Sequence, residues 1–332
     1  MQSLDLNVLS DALDWHRAGH AVTLFTVVQT WGSAPRPPGA LLALRHDGVL
    51  SGSVSGGCVE DDLIARVKAG DGGGAALEKP ALITYGVSKE EATRFGLPCG
   101  GTLRLLQEPL LDGNWVAQLL ARTAAHELVA RSVTLATGAV LLASAQPGQG
   151  LRFDGATLCS VFGPQWRLLL IGAGQLSQAV ASIALMLDFE VLVCDPREEY
   201  AATLGSGQPG MRRIDGMPDD VVREMVPDAH TAIVALTHDP KLDDMALIEA
   251  LQSAAFYVGA LGSKRNQDAR KQRLAEHFDL SAEALARLHG PVGLALGAKT
   301  PAEIAVAIVA EIVQSKNVVA GAPASSVGCE IP

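Results

Sequence analysis

The chain has few cysteines and none of the cysteine patterns that identify small secreted or zinc-binding domains. Its five cysteines are an odd number spread over 332 residues, without a CxxC pair or a His/Cys cluster at zinc-ligand spacing. Such usage in a long chain is typical of reduced thiols and argues against a disulfide framework. A classical structural metal site is disfavoured for the same reason.

Basic residues and long apolar runs are also scarce. Lys and Arg number 26 against 36 Asp and Glu, which leaves a net charge of −10. A general nucleic-acid binder needs a basic face, so that class is disfavoured, although a few local donors suffice for one anionic ligand. The N-terminus lacks the features of a signal peptide, and no run of about 18 apolar residues can span a membrane. We therefore expect a cytoplasmic protein that binds neither nucleic acid nor membrane.

What the chain does contain is two successive patterns of apolar residues. In the first half, β-branched segments alternate with Gly- and Pro-rich loops and a few helical stretches. From Trp166 onward, strongly apolar strands alternate with helices, which is typical of a parallel doubly wound sheet. The last helix begins with a capping box formed by Thr300 and Glu303. We predict an α/β chain with an N-terminal α+β domain over 1–150, a linker over 151–165, a Rossmann-like domain over 166–316 and a flexible tail over 317–332.

The Rossmann-like half opens with a dinucleotide-binding pattern. LLLIGAGQLSQAV places Gly172 and Gly174 between a strand and a helix, with Ser177 at the third glycine position. The first glycine allows a tight turn, the second lets a phosphate approach the backbone, and the helix that begins at Gln175 offers free N–H groups. Asp195 ends the next strand, where the ribose-binding acid belongs. The pattern therefore indicates a nucleotide-like or phosphate-bearing ligand, although a fold does not by itself define a function.

Other polar residues follow the predicted carboxyl ends of strands, where open α/β sheets bind ligands. Arg197 either contacts a phosphate or is a solvated loop arginine. His238 and Asp239 are candidate site residues, with the alternative that Asp239 merely caps the next helix.

Two further groups are candidates for holding an anion. In GALGSKRN, Ser263 is placed to cap its helix, while Lys264 and Arg265 either hold an anion or are solvated. In GSAPRPPGA, Arg36 lies in a loop stiffened by prolines, which suits anion binding because little ordering is needed. A structural turn with an exposed arginine is the alternative for Arg36.

The stretch SGSVSGGCVEDDLI places Cys58 behind Gly56 and Gly57 at the start of a predicted helix. The helix dipole favours a thiolate there, and the glycines let a bulky ligand approach the sulfur. The carboxylates at 60–62 oppose that effect, so the alternative is a small buried side chain. Cys99, in LPCGG, has the same glycine neighbourhood and the same two alternatives.

In this order, these motifs resemble the XdhC/CoxI family of molybdenum-cofactor chaperones. The resemblance covers both halves of the chain and is thin over about 110–160. The motifs that carry it are GSAPRPPGA (32–40), SGSVSGGCVEDDLI (51–64), LPCGG (97–101), LLLIGAG (168–174), CDPR (194–197), THDPKLDD (237–244), GALGSKRN (259–266) and GPVGLALGAKTPAEIAVAIVAEI (290–312).

The resemblance implies an accessory protein and not a turnover enzyme. Such a protein binds molybdopterin or its cytosine dinucleotide form and assists the exchange of a molybdenum oxo ligand for sulfido, with a cysteine desulfurase supplying the sulfur. It then delivers the cofactor to an apo-enzyme of the xanthine dehydrogenase or aldehyde oxidoreductase type, and a homodimer is expected.

The same resemblance assigns the holding of the cofactor to Cys58, with the cofactor's molybdenum as its possible partner. A soft thiolate suits molybdenum better than a carboxylate does. The carboxylates after Cys58 then serve mainly to start the helix. Two positions depart from the family pattern: Ser177 replaces a glycine, and Ala295 replaces an acidic residue.

Other functions stay open on the residues alone. The main alternative is an NAD(P)-dependent oxidoreductase built on the Rossmann half, for which the first half shows no convincing general acid. A thiol-redox or sulfur-carrier protein that uses Cys58 with Cys99 is a second alternative. A scaffold that binds only proteins is a third.

Overall fold

The computed structural model describes residues 3–31, 36–69, 78–86, 102–146, 149–201 and 210–319. The chain divides into two compact units, Met1–Pro164 and Gln165–Pro332. This division falls inside the segment 151–165 that was predicted to be a linker. Cys99 and most of the predicted tail lie outside the described residues.

The N-terminal unit is an α+β domain built on antiparallel sheets. Its described helices are α1 (Ser3–Arg17), α2 (Cys58–Lys68) and α3 (Asn114–Ala124). Its described strands are β1 (Val22–Trp31), β2 (Leu41–Arg45), β3 (Leu50–Gly52), β4 (Ala81–Tyr85), β5 (Thr102–Pro109), β6 (Val129–Thr134), β7 (Val140–Ser144), β8 (Arg152–Phe153) and β9 (Thr157–Phe162). They form a five-stranded sheet in the order β3-β2-β1-β5-β4 and a four-stranded sheet in the order β7-β6-β9-β8.

Helices cover both faces of the five-stranded sheet, so most residues of its central strands are buried on both faces. On one face α2 buries Val59 and Leu63 in a cluster that includes Leu42. On the other face α1 buries Leu9 in a cluster that includes Leu24. Successive strand residues point to opposite faces, so each strand contributes to both clusters.

The segment predicted as a linker contains β8 and β9. Strand β9 pairs with β6 from Val129↔Phe162 to Thr134↔Thr157. Leu158, Ser160 and Phe162 are buried in alternation with half-buried residues. That alternation is the pattern of a strand, and the glycines that precede it in the sequence obscured it.

The C-terminal unit is a parallel α/β domain. Its described helices are α4 (Gln175–Met186), α5 (Glu198–Ala201), α6 (Pro218–Met225), α7 (Pro240–Gln252), α8 (Lys264–Phe278), α9 (Ala282–Ala286) and α10 (Pro301–Val319). Its described strands are β10 (Arg167–Ile171), β11 (Glu190–Cys194), β12 (Met211–Ile214), β13 (Thr231–Ala235), β14 (Tyr257–Ala260) and β15 (Leu288–His289). The sequence pattern missed α5, β12, α9 and β15, which are short.

The six strands pair in parallel in the order β12-β11-β10-β13-β14-β15. This is the order of a Rossmann fold, so the predicted doubly wound sheet is confirmed. Leu168 packs on one face with Val180 and Ile308, and Leu169 packs on the other face with Leu247. The chain reverses its direction of strand addition between β10 and β13, and ligands of such sheets bind at the carboxyl ends of the strands flanking this switch point.

The capping box predicted for the last helix is also confirmed. Thr300 Oγ1 accepts from the Glu303 backbone N–H at 3.3 Å, and a Glu303 carboxylate oxygen accepts from the Thr300 N–H at 3.0 Å. Among the described residues, no helix combines the length and apolarity that crossing a membrane would require.

Candidate functional site

The loop before α2 wraps around a carboxylate of the same helix. Glu60, in the first turn, accepts from the backbone N–H groups of Val54, Ser55 and Gly57 at 2.8 Å each. Its oxygens also accept from the N–H of Gly56 at 3.2 Å and from the Ser53 hydroxyl at 2.8 Å. Nearly every donor that this loop offers is thereby turned inward onto one side chain.

Glu60 is charged and buried at this helix start. Burial raises the pKa of its carboxyl, but the hydrogen bonds from Ser55, Ser53 and Val54 outweigh that effect and hold the pKa at about 2. The side chain is 5% exposed. An internal anion therefore occupies the place at which an external anion would otherwise bind.

The same loop determines the backbone position of Cys58. Gly57 has φ +139°, a conformation that L side chains rarely adopt, and a Cβ there would meet no atom within 4 Å. Cys58 is the first residue of α2, and its side chain lies outside what the structure describes. Cys58 thus begins a helix directly behind a loop whose backbone N–H donors are already taken by Glu60.

Arg36 is the other first-domain candidate within the described residues. Its Nε is buried and has no hydrogen-bond partner among them. A buried donor without an acceptor is costly, by about 1–3 kcal/mol, so an acceptor supplied by a ligand would be favourable.

In the second domain, the Gly172 turn packs tightly against the end of β13. Gly172 has φ +108°, and a Cβ there would lie 3.1 Å from Thr237 Cγ2. Gly174 is different, because its Cβ would meet nothing within 4 Å. Gly174 is the N-cap of α4 and no side chain caps this helix. The first N–H groups of a helix have no partner within it, so α4 begins with open donors at the switch point.

Asp195 lies beneath this turn and is engaged by protein groups. Its carboxylate accepts from the Ala173 N–H at 2.9 Å and from Arg197 Nε and Nη2 at 2.8 Å each. Burial raises the pKa of Asp195, but the hydrogen bonds from Arg197 and Ala173 outweigh this effect and leave the pKa lowered. The Arg197 guanidinium also lies 4.0 Å from the centre of the Tyr200 ring. Asp195 therefore braces the glycine turn, and its binding of a ribose stays a prediction.

The remaining candidates lie at the next strand ends. Asp239 caps α7 by accepting from the Lys241 N–H at 2.9 Å, and Ser263 caps α8 by accepting from the Asn266 N–H at 3.2 Å. The structural alternative stated for Asp239 is thus observed. His238 is exposed beside it.

Lys264 and Arg265 are exposed in the first turn of α8. Within the described part of the chain, neither forms an ion pair. Both are therefore available to an anion near the carboxyl end of β14.

A cavity of about 310 Å³ brings several of these elements together at the ends of β13 and β14. Its lining residues are Thr237, His238, Pro240, Asp243, Leu261, Gly262, Asn266, Ala269, Arg270 and Arg273. Of the predicted site residues, His238 alone belongs to this lining. The sequence analysis did not identify Asn266, Asp243, Arg270 or Arg273 as candidate site residues. For the charged residues, their spacing along α7 and α8 was the available indication.

The charged residues of this cavity neutralise one another. Arg270 pairs with Asp243 at 2.9 Å and with Asp244 at 3.0 Å, and Arg273 pairs with Asp244 at 2.7 Å. Arg270 Nη1 also donates to Gln267 Oε1 at 3.2 Å. Burial raises the pKa of Asp243. Since the arginines are directed at protein acceptors, the cavity suits a polar, uncharged ring better than a phosphate.

Comparison with known proteins gives a consistent result. The model of the XdhC and CoxI family matches residues 15–86, and the model of the XdhC Rossmann domain matches residues 168–312. The chain is 27% identical to the molybdenum cofactor insertion chaperone PaoD of Escherichia coli strain K12, over 92% of this chain and 86% of that one. It is 28% identical to a probable xanthine dehydrogenase subunit from Bacillus subtilis strain 168, over 90% of this chain and 94% of that one.

A solved structure matches the chain over both domains. It is a crystal structure described as a xanthine dehydrogenase from Bacillus halodurans, with a TM-score of 0.73 and 22% identity. The match covers 96% of each chain. At 22% identity, this likeness shows the fold alone.

Proposed function

The chain belongs to the XdhC and CoxI family, and from that premise we propose that it is an accessory protein that binds the molybdenum cofactor and chaperones its insertion into a xanthine dehydrogenase-type enzyme. The observation that carries the proposal is the uncapped start of α4 behind Gly174. It lies at the switch point of a sheet with Rossmann order.

The α4 start fits the phosphate or diphosphate of the cofactor. Gly174 leaves room for an oxygen to approach the backbone, and the helix dipole favours negative charge there. Arg197, with a quarter of its side chain exposed, lies beside the turn, and Ser263, Lys264 and Arg265 lie at the start of α8. We propose that these groups hold the anionic part of the cofactor.

The cavity at the ends of β13 and β14, whose charged residues neutralise one another, fits an uncharged heterocycle. His238 and Asn266 line it and can both donate and accept hydrogen bonds. A cytosine or a pterin presents donors and acceptors along its edge, whereas a phosphate would meet Asp243 as well as Arg270. We therefore propose that a ring of the cofactor binds here, and its molybdenum elsewhere.

Cys58 is the proposed holder of the molybdenum end. The cofactor would supply a soft metal centre, which a thiolate suits. The observation that supports this role is that Glu60 satisfies the loop donors while Gly57 leaves open space beside Cys58. Gly56 shapes the same loop, and Arg36, whose Nε is buried without an acceptor among the described residues, would hold a nearby anionic group. The proposal extends to Cys99 because of its similar glycine neighbourhood.

The resemblance supports further steps that we include in the proposal. A cysteine desulfurase would supply sulfur for the sulfido ligand, and the protein would act as a homodimer that passes the cofactor to an apo-enzyme. In these steps the chain binds and orients and undergoes no turnover of its own.

An NAD(P)-dependent oxidoreductase is the second candidate, because the strand order is that of dinucleotide-binding domains. One observation counts against it. The acid that would accept from the ribose hydroxyl, Asp195, already accepts from Ala173 and Arg197.

The test is binding of the cofactor to the purified chain. We expect molybdopterin or its cytosine dinucleotide to co-elute with the protein, measured as fluorescence of the oxidised pterin, whereas NADH is not retained. Cys58→Ser should weaken retention without changing the melting temperature. Tight NADH binding with no pterin retained would refute the proposal.

A further inference from the structure

The strand β7 has one row of backbone groups that no described residue pairs with. It ends the four-stranded sheet, in the order β7-β6-β9-β8, and pairs with β6 alone. The Ala139 carbonyl and the Ala145 N–H both bond to backbone groups on the β6 side. Because backbone groups alternate between the two sides of a strand, those of Val140, Leu142 and Ser144 point away from β6. The N–H and C=O groups of these residues therefore form an open edge.

This edge lacks the features that protect sheet edges in monomeric proteins. Short length, charged side chains and proline are the usual means of protection. Strand β7, VLLAS, has five residues with no charge and no proline. By contrast, β3 has three residues, β8 and β15 have two each, and β12 carries two arginines. The remaining described edge strand, β4, exposes Thr84 alone, whereas β7 exposes Leu141, Ala143 and Ser144. Of the described edges, β7 is thus the best suited to adding a strand.

A second copy of the chain presents the same open edge. In a two-fold arrangement centred on Leu142, the two β7 strands run antiparallel, and Val140 of one copy lies opposite Ser144 of the other. The open backbone groups of one edge then meet those of the other. The two four-stranded sheets become one continuous sheet. Since the symmetry axis is perpendicular to that sheet, α3 covers the same face of it in both copies.

The charges beside the strand are complementary across this axis. At one end, Arg122 of α3 donates to Ser144 Oγ at 3.0 Å. Arg122 also pairs with Glu127 of its own copy, and its side chain stays 27% exposed.

At the other end of β7, Val140 lines a cavity of about 250 Å³ that also includes Asp112 and Trp115, at the start of α3. Among its described lining residues are three carboxylates and no Lys or Arg. Because Ser144 of one copy faces Val140 of the other, each Arg122 is brought toward the acidic cavity of the second copy. In a chain with a net charge of −10, a surface at which two copies attract each other is a specific feature.

We propose that the β7 edge is the surface through which two copies of this chain associate, by antiparallel pairing of Val140–Ser144 with the same residues of the second copy. The inference rests on the homodimer included in the proposed function, to which it adds the surface and the register.

The first test measures association of the intact chain by sedimentation equilibrium. The wild type should be a dimer. Leu141→Lys places a charge on the edge, at a side chain that is 69% exposed, and should raise the dimer dissociation constant at least about tenfold. Met186→Lys adds the same charge at a side chain of α4 that is 76% exposed and should have no effect. A monomeric wild type, or equal effects of the two variants, would overturn the proposal.

The second test probes the register with cysteines. Leu141 of one copy lies opposite Ala143 of the other in a pair that is not hydrogen-bonded, where the Cα atoms are close enough for a disulfide. The double variant Leu141→Cys/Ala143→Cys should therefore form a covalent dimer with oxidised glutathione, seen on a non-reducing gel. Each single variant retains the five native cysteines and should not exceed the wild type. Equal cross-linking of single and double variants, or none in the double variant, contradicts the register.

Both tests are made without the molybdenum cofactor. A dimer that neither the lysine nor the cysteine pair affects refutes this surface and retains the homodimer. A monomeric chain refutes the homodimer together with the surface. Retention of the oxidised pterin by the wild type tests the cofactor-binding part of the proposed function separately.

Discussion

Three described helices begin behind glycines, α2 behind Gly57, α3 behind Gly113 and α4 behind Gly174, and the first turns of α2 and α4 have opposite properties. At α2, the third helical residue is Glu60, whose carboxylate takes the donors of the preceding loop. At α4, the third helical residue is Ser177, which is buried and whose Oγ has no hydrogen-bond partner among the described residues. A similar junction behind glycine therefore gives two results. At α2 the Glu60 carboxylate accepts the free backbone N–H groups, whereas at α4 no side chain does so. The side chain at the third position is one difference, and the backbone of the preceding glycine is another, with φ +139° at Gly57 and −74° at Gly174.

The largest effect is expected from emptying the filled helix start. Glu60→Ala leaves several buried N–H groups without an acceptor, which should lower the free energy of unfolding by about 3 kcal/mol or more. Glu303→Ala, which removes the exposed equivalent at α10, should cost about 1 kcal/mol. Denaturant unfolding measures both. Equal losses would show that the loop before α2 finds other acceptors.

The second prediction concerns pH. The Glu60 carboxyl has a folded pKa of about 2, below its ordinary value of 4.5. A lowered pKa means that its contribution to stability is complete above the unfolded value and is lost as the pH falls toward the folded value. Wild type should therefore lose stability on acidification more steeply than Glu60→Gln, measured as the urea midpoint. Parallel pH profiles for the two proteins would contradict this.

The open helix start can be filled by design. Gly174 has φ −74° and space for a side chain, so Gly174→Asp should cap α4 and weaken binding of inorganic pyrophosphate at least about tenfold. Calorimetric titration measures the affinity. Gly174→Asn, a neutral cap of the same shape, should weaken it less, and equal losses would indicate a steric effect.

The smallest effect is expected at a helix start capped by a single hydroxyl. Ser263→Ala removes the cap of α8 and should lower the free energy of unfolding by about 1 kcal/mol. Ser281→Ala, at the short helix α9, should cost less because fewer residues depend on that cap. Thermal unfolding checks both. A loss of cofactor retention with Ser263→Ala beyond that of Ser281→Ala would show that Ser263 also contacts the ligand.

Predictions from the sequence succeeded where the pattern was long or local. The apolar strands β10, β11 and β13 predicted the parallel sheet, and Thr300 with Glu303 predicted a helix start. Strand β12 was missed because its residues, MRRI, carry two arginines and pair along one side with β11 alone. Strand β15 was missed because a strand of two residues is too short to show an alternation of apolar and polar side chains. Edge strands such as these are defined by their neighbours more than by their own residues.

The sequence by itself determined features that depend on residues a few positions apart. They include the glycine-led junctions, the helix start that Glu60 serves, and the caps at Asp239, Ser263 and Thr300. Each of these contacts closes over a few residues, so the local order of side chains is sufficient to specify it.

The tertiary structure alone decided which distant groups meet. Asp195 reaches the Ala173 N–H because β10 and β11 are parallel neighbours. Arg270 reaches Asp243 only when α8 lies beside α7, and Arg131 reaches Glu108 from another sheet. The buried charges and both cavities follow from these contacts, because pairing over such separations depends on strand order and helix packing that no local pattern encodes.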